Sequence, residues 1–312
     1  MASTDTSTLP YHIPALLPEA IDLLGIKPGG IYIDATFGGG GHSRAILEGL
    51  GPEGRLFSFD RDPDAYENRI EDPRFTFVHG NFRYLENFMR YYGVDKVDGI
   101  LADFGVSFHH FDTAERGFSF RAEAPLDMRM NRNAAMTAER LIAQSSEEEI
   151  LSMLRSYADL KKPGAVAKAI TAAKEGAGIQ TTTQLTEAVL KALDPRQEKK
   201  ELAQVFQAFR IAVNNEADDL QTFLNSAQKV LMDGGRLVTL TYHSMEDRMV
   251  KNFMKTGNIE GLEDKDFFGH VKTPWRVLTR RPIEAGDEEV GRNPRARSAR
   301  LRAAEKIETG KS

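Results

Sequence analysis

The chain has 312 residues, 41 basic against 46 acidic, a formal charge of −5, 13 prolines and no cysteine. That length suits one large or two moderate domains with ample buried core. With 41% hydrophobic and 28% charged residues, the balance is that of an ordinary globular protein rather than a disordered one. The absence of cysteine excludes a disulfide framework, a thiolate zinc or iron–sulfur site and a cysteine nucleophile. The last exclusion bears on cytosine chemistry, because methylation at ring carbon C5 generally uses a thiolate that attacks C6. No run approaches the ~18 apolar residues that span a bilayer. Residues 1–10, MASTDTSTLP, lack the basic and apolar regions of a signal peptide and read as a disordered tail. The expected location is cytoplasmic, away from any membrane.

Leu16, Leu17, Ala20, Ile21 and Leu24 recur at helical spacing, and Gly25 stops that helix. A β-branched strand at Ile31–Asp34, a glycine run at Gly38–Gly41 and a helix over 42–50 follow. Arg55–Asp60 reads as a second strand, Asp62-Pro63 opens a helix, and Arg74–Val78 is a third strand. Asn81 is placed to cap a helix through Tyr92, and Val97–Asp103 is a fourth strand. Strands and helices alternating in this order imply parallel βαβ units. From about Phe104 the pattern becomes helical, with segments near 138–156, 165–174, 183–193 and 198–213; Ser145-Ser146 before Glu147–Glu149 resembles a capping box. A helix near 218–232, a turn at 233–235 and a strand at Arg236–Thr241 restore the first pattern. The reading is an α/β domain interrupted by an all-helical insertion.

A strand ending in Asp34, a glycine turn and a helix start form a crevice at the carboxyl edge of a parallel sheet. Glycine lets the backbone approach a ligand closely and adopt positive φ. A dinucleotide fingerprint needs a third glycine where Ser43 stands. The pattern D-x-x-x-G-x-G suits S-adenosylmethionine better, with Asp34 orienting water or the amino group. Asp60 ends the second strand, where an acid can accept hydrogen bonds from both ribose hydroxyls. Phe82 could stack on adenine or sit in the core. Asp103 ends the fourth strand at the switch point, where an acceptor can hold a target amine for in-line attack on a sulfonium methyl. No histidine or carboxylate spacing argues for a metal.

These stretches resemble the RsmH (MraW) family, bacterial S-adenosylmethionine-dependent methyltransferases that modify a cytidine N4 in the small-subunit rRNA decoding centre. The resemblance rests on YHIPALLPEAIDLL (11–24), GIYIDATFGGGGHS (30–43), FDRDPDA (59–65), DGILADFGVS (98–107), AERGFSFR and PLDMRM (114–130), VFQAFRIAVNNE (205–216), GGRLVTLTYHSMEDRMVK (234–251) and NPRARSARLR (293–302). It implies a Rossmann-like class I methyltransferase with a mostly parallel seven-stranded sheet. The methyltransferase domain would comprise 11–111 and 206–312, and 112–205 would be a helical insertion for the rRNA substrate. It also implies cofactor contacts at Gly40, Gly41, His42, Asp60, Phe82 and Asp103, with Gly38 in the same loop, and at His110, where members commonly have Gln. The implied partner is 16S rRNA in the small ribosomal subunit, with the protein a monomer or weak homodimer and no metal.

An acidic chain does not look like a nucleic-acid binder, but its charge is unevenly distributed. Residues 270–312 hold eleven Lys/Arg and six Asp/Glu, and Arg292–Arg302 holds five arginines and no acid. Arginine forks suit phosphate, which makes Arg295, Arg297 and Arg300 candidate RNA contacts. Arg116 and Phe118 could stack on an extruded base or belong to a loop folded onto the core, and Asp127 is either a cap or a substrate contact. His243 and Asp247 are candidate substrate contacts, beside the alternative that Ser244 simply caps a helix with Glu246 and Arg248 in its first turns. Two other functions fit parts of the pattern. One is a nucleotide-dependent oxidoreductase, which Ser43 disfavours; the other is a ribosome-assembly factor with a vestigial cofactor site.

Overall fold

The computed structural model describes residues 14–104 and 116–308. The tail at 1–10 and His110 therefore lie outside the described residues. The chain divides into two compact units, residues 1–105 with 219–312 and residues 106–218.

The first unit is built from α1 (Leu17–Leu24), β1 (Ile31–Asp34), α2 (Gly41–Gly49), β2 (Arg55–Asp60), β3 (Phe75–His79), α3 (Leu85–Tyr91) and β4 (Val97–Asp103). Asp62-Pro63 yields only a 3-10 segment over Pro63–Asn68, in which Ala65 N–H donates to Asp62 O at 3.1 Å. Asn81 caps as its sequence predicts, accepting from Arg83 N–H at 2.9 Å, and a 3-10 turn at Phe82–Tyr84 leads into α3. After the insertion the unit resumes with β5 (Leu231–Thr241) and α10 (Ser244–Thr256). It ends with β6 (Trp275–Val277), β7 (Ile283–Glu284), α11 (Asp287–Arg292) and β8 (Arg300–Lys306).

The sheet runs β3-β2-β1-β4-β5-β8-β6, with β7 also paired to β8. The first five strands pair in parallel, and β8 runs antiparallel to β5, β6 and β7. This is the expected Rossmann-like, mostly parallel arrangement, with the two-residue β7 as an eighth strand beyond the expected seven. The basic C-terminal stretch thus runs through a 3-10 turn at Pro294–Ser298 and ends in a paired strand rather than a tail: Leu301, Arg302, Ala303 and Ala304 are all buried. Side chains alternate between the two faces of the sheet. Leu56, Leu101 and Val238 pack with Ala20, Leu24 and Ile46 of α1 and α2. Phe57 and Phe59 point the other way, to Tyr92 and Phe88, with ring centroids 5.3 and 5.6 Å apart.

The second unit contains α4 (Ala138–Gln144), α5 (Glu147–Tyr157), α6 (Pro163–Gly176), α7 (Thr182–Leu190) and α8 (Glu198–Asn214). The α9 helix (Glu216–Val230) begins in this unit and continues into the other. The single segment read over 138–156 breaks at Ser145-Ser146 because Ser146 and Glu149 form a reciprocal capping box. The insertion ends after Asp218 rather than at 205. Its last helix, α8, is continuous, and Leu202, Val205, Phe206, Phe209 and Val213 all belong to the helical unit's core. Truncating Phe209, fully buried at 0% exposure, to alanine should cost about 3–5 kcal/mol in this unit. Urea unfolding followed by far-UV circular dichroism should show the transition of the helical unit moving to lower denaturant.

Candidate functional site

The β1 strand ends at Asp34, which is wholly buried. Its carboxylate accepts from the Ser43 hydroxyl at 2.6 Å and from Thr36 N–H at 3.1 Å. Ser43 in turn lies 2.8 Å from the Ser58 hydroxyl of β2. Burial pushes the Asp34 carboxyl up, and the His42 imidazole and these hydrogen bonds only partly offset that. Asp34 therefore holds the glycine loop from behind, and the expectation that it orients water or an amino group is corrected: none of its surface is open to a ligand.

The loop itself needs glycine at two places. Gly38 and Gly40 have φ of +52° and +75°, which L-residues with side chains rarely adopt. A Cβ at Gly38 would meet nothing within 4 Å, so that backbone borders open space, whereas one at Gly40 would stand 2.9 Å from the Phe37 ring. Gly41 starts α2 and leaves no room for a side chain, since a Cβ would lie 2.2 Å from Pro14 Cγ. Gly38 N–H donates to Asp60 Oδ2 at 2.8 Å, which brings the ends of β1 and β2 into one crevice. The other Asp60 oxygen accepts from Asp62 N–H at 2.8 Å. Burial raises the Asp60 carboxyl above its ordinary range, against the pull of the Asp62 and Gly38 amides.

Asp103 ends β4 next to this loop. Its N–H donates to Thr36 Oγ1 at 2.6 Å, and its Oδ2 lies 4.0 Å from His42 Nδ1. Burial, then the charge of the nearby Asp103, pushes the Tyr242 phenol up. His42 is buried at 5% exposure, and its Nε2 has no hydrogen-bond partner among the described residues. Phe82 is half-buried in an edge-to-face trio with Phe104 and Phe223, at 5.8 and 5.3 Å. Asn81 and Arg83 each reach the buried Asp219 of α9 at 2.6 Å, which fixes the turn that carries Phe82. A glycine loop bordering open space, an acid at the next strand end and an orphaned buried imidazole nitrogen fit a nucleoside cofactor with a polar amino-acid part.

The expected RNA contacts divide sharply. In the helical unit, Arg116 donates to Arg129 O and Met130 O at 2.7 and 3.0 Å, and Phe118 is 5% exposed in the core. Asp127 is held by Arg129 through two side-chain bonds of 2.7 Å. Burial would raise the Asp127 carboxyl, but those bonds outweigh it and hold it below the usual range. Base stacking by Phe118 is thus corrected, because its ring belongs to the core of the insertion, whereas Asp127 keeps a partly exposed side chain in its pair with Arg129. In the first unit, Asp247 is buried and takes Arg302 in a fork of 2.6 and 3.1 Å, with Arg300 at 3.4 Å. Asp247 is a strut between α10 and β8, and Arg300, its side chain 41% exposed, lies beside it and 3.8 Å from Glu284. His243, not Ser244, caps α10, with Glu246 returning to the His243 N–H at 3.2 Å. Arg295 and Arg297 are exposed on the 3-10 turn Pro294–Ser298.

Thr36 and Tyr242 are site residues that the sequence pattern did not single out. Thr36 is two residues past a strand end, and Tyr242 is two residues past Leu240, the β5 partner of Asp103. Position at a strand end beside a candidate acid is the signal that could have found both. Among the described residues no group of three or more histidines or acids is placed to hold a metal ion.

A family model described as the MraW methylase family matches residues 10–307. A protein of Phocaeicola vulgatus named ribosomal RNA small subunit methyltransferase H is 55% identical over 95% of this chain and 97% of its own. One of the same name from Christiangramia forsetii is 48% identical over 95% and 98%. The solved structure of an rRNA methylase from Streptococcus thermophilus aligns with 94% of this chain and 94% of its own at 12% identity and a TM-score of 0.37.

Two outcomes follow from this geometry. Because the Asp60 carboxyl is raised, affinity for S-adenosylhomocysteine should fall on acidification at a pH above the ~3.9 of an ordinary aspartate. Calorimetry across pH should show that dependence in the wild type and not in Asp60→Ala. Replacing Asp247 by alanine leaves Arg302 buried without its partner and should destabilise the first unit by about 3–5 kcal/mol in chemical denaturation.

Proposed function

Because the chain belongs to the MraW methylase family, we propose that it transfers a methyl group from S-adenosylmethionine to the exocyclic N4 of a cytidine in 16S rRNA. The acceptor would be the decoding centre of the small ribosomal subunit. The observation that carries this reading is the convergence of the glycine loop, Asp60 and Asp103 on the ends of adjacent strands, in a chain whose relatives are named for small-subunit rRNA methylation.

When bound, the cofactor supplies an electrophilic methyl on a sulfonium. The protein's part is to hold the two reactants in line. Asp60 accepts from the ribose hydroxyls, the Gly38–Gly41 backbone lies against the methionine part, and Phe82 walls the adenine. His42 offers its unpartnered Nε2 to a polar group of the cofactor. Asp103 accepts a hydrogen bond from the N4 amine, which draws the lone pair out of conjugation and aims it at the methyl.

The absence of cysteine agrees with attack by an exocyclic nitrogen, which needs no covalent enzyme adduct. Reaching that nitrogen in structured RNA requires splaying the base out of its stack, at a cost of a few kcal/mol by order of magnitude. Phosphate contacts that help meet this cost fall to exposed arginines, of which Arg295 and Arg297 are the named candidates.

The test supplies labelled S-adenosylmethionine to small ribosomal subunits that lack the modification, then digests the RNA to nucleosides. Label should appear in N4-methylcytidine; label in any other nucleoside would contradict the assignment. Asp103→Ala should lower kcat at least about a hundredfold while its melting temperature and cofactor affinity stay near wild type.

A further inference from the structure

Arg44 lies in the first turn of α2, and its side chain reaches back across the glycine loop. Its Nη1 donates to Gly39 O at 2.7 Å and its Nη2 to Asn68 O at 3.2 Å. The Asn68 side chain closes the figure, its Nδ2 donating to Gly38 O at 3.3 Å. One arginine and one asparagine thus grip two successive carbonyls of the loop and pin the 3-10 segment Pro63–Asn68 against it. We infer that Arg44 is a positioning residue for the cofactor, a guanidinium fork that, with Asn68, holds the glycine loop in its binding conformation. The inference rests on the reading that this loop lies against S-adenosylmethionine.

A run of glycines has no side chains to pack and wide backbone freedom, so a ligand that needs one conformer must bear the cost of selecting it. Two amides of the loop are tied from within the sheet. Gly38 N–H donates to Asp60 Oδ2 at 2.8 Å, and Gly40 N–H to Phe37 O at 2.7 Å. Those bonds fix two points of the loop; the bonds from Asn68 and Arg44 orient the peptide planes between them. Held on both sides, the loop meets the cofactor already in shape.

The residue type fits this task. Guanidinium is a flat fork with several N–H donors and can serve two carbonyls at once, whereas an ammonium is a single point. A cation in the first turn of a helix faces the positive end of the helix dipole, so Arg44 does nothing for α2 itself. Its return lies in the carbonyls it binds. Gly40 takes part as well: a Cβ there would stand 2.8 Å from Arg44 Nη1, so the bare backbone is what lets the fork close over the loop. Arg44 is exposed, and its removal leaves no cavity in the core. Loss of the fork should therefore show in cofactor affinity rather than in the stability of the fold.

Calorimetry with S-adenosylhomocysteine compares wild type, Arg44→Ala, Arg44→Lys, Asn68→Ala and the double alanine variant, beside hydrogen exchange with and without that ligand. Arg44→Ala should weaken binding about tenfold, and Arg44→Lys, which keeps the charge but not the fork, should recover only part of this loss. The double variant should bind within about twofold of Arg44→Ala, because the two side chains act as one clamp. Without ligand, the amides of Gly38, Gly39 and Gly40 should exchange faster in Arg44→Ala than in wild type. Its melting temperature should stay within a few degrees, by order of magnitude, of wild type. On small ribosomal subunits its KM for S-adenosylmethionine should rise while kcat at saturating cofactor stays within about twofold. Wild-type affinity in Arg44→Ala or in Arg44→Lys would overturn the inference. So would fully additive losses in the double variant, or a loss of affinity with loop exchange unchanged. Wild-type loop amides that gain no protection from the ligand would show that the cofactor does not lie on the loop, which ends that reading and the inference with it. A protected loop with undiminished affinity in Arg44→Ala ends the inference alone.

Discussion

The site depends on a buried carboxylate. Asp34 is removed from solvent and spends both oxygens within the protein, on Ser43 and on Thr36. Each of those partners carries the tie further, Ser43 to Ser58 of β2 and Thr36 to the Asp103 amide of β4. One knot of hydrogen bonds therefore joins β1, the start of α2, β2 and β4 where the cofactor crevice opens. An unpaired charge there would be severely penalised, so the loop can close in few ways that satisfy it. Gly38 and Gly40 then supply the backbone conformation which that closure demands, and Gly38 hands its amide to Asp60.

Acids of one type do different work because their surroundings differ. Asp34 holds the loop, Asp60 sits half-buried with both oxygens facing loop amides, and Asp103 lies near an imidazole and a phenol. Asp219 and Asp247 are struts, one gripping the turn before α3 and the other gripping β8. The net charge of −5 sums these roles and describes none of them. The basic stretch near the C-terminus likewise splits: Arg302 and Arg300 lie against Asp247, and Arg295 and Arg297 lie on the surface. The net charge therefore hides a local remainder of exposed cations on that turn.

Local pattern made much of this legible. The alternation of short β-branched strands with helices marked the parallel half of the sheet, Asn81 and Ser146 marked helix starts, and Asp60 was placed by its distance from the glycine run. What escaped was non-local. Nothing in the residues around Arg302 tells that it will meet Asp247, 55 positions away, across an antiparallel strand inserted beside β5. Phe118 and Asp127 carry residue types suited to RNA, yet the helical core takes the first and Arg129 the second. The motif around 242–248 drew attention to His243 and Asp247, whose jobs are a cap and a strut, and away from Tyr242, whose neighbour in space is on another strand. Side-chain chemistry could be read from the sequence; which partner claims it depended on tertiary pairing.

The central claim is that the ends of β1, β2 and β4 form one cofactor crevice closed by the Asp34 knot. Hydrogen exchange of the protein with and without S-adenosylhomocysteine tests it most directly. The account predicts added protection at the amides of Gly38, Gly40, His42, Asp60 and Asp62 and at the turn carrying Phe82, and little change in β6 or β7. Binding that leaves the glycine loop and the end of β2 unprotected, or that protects the β6 and β7 edge instead, would contradict it.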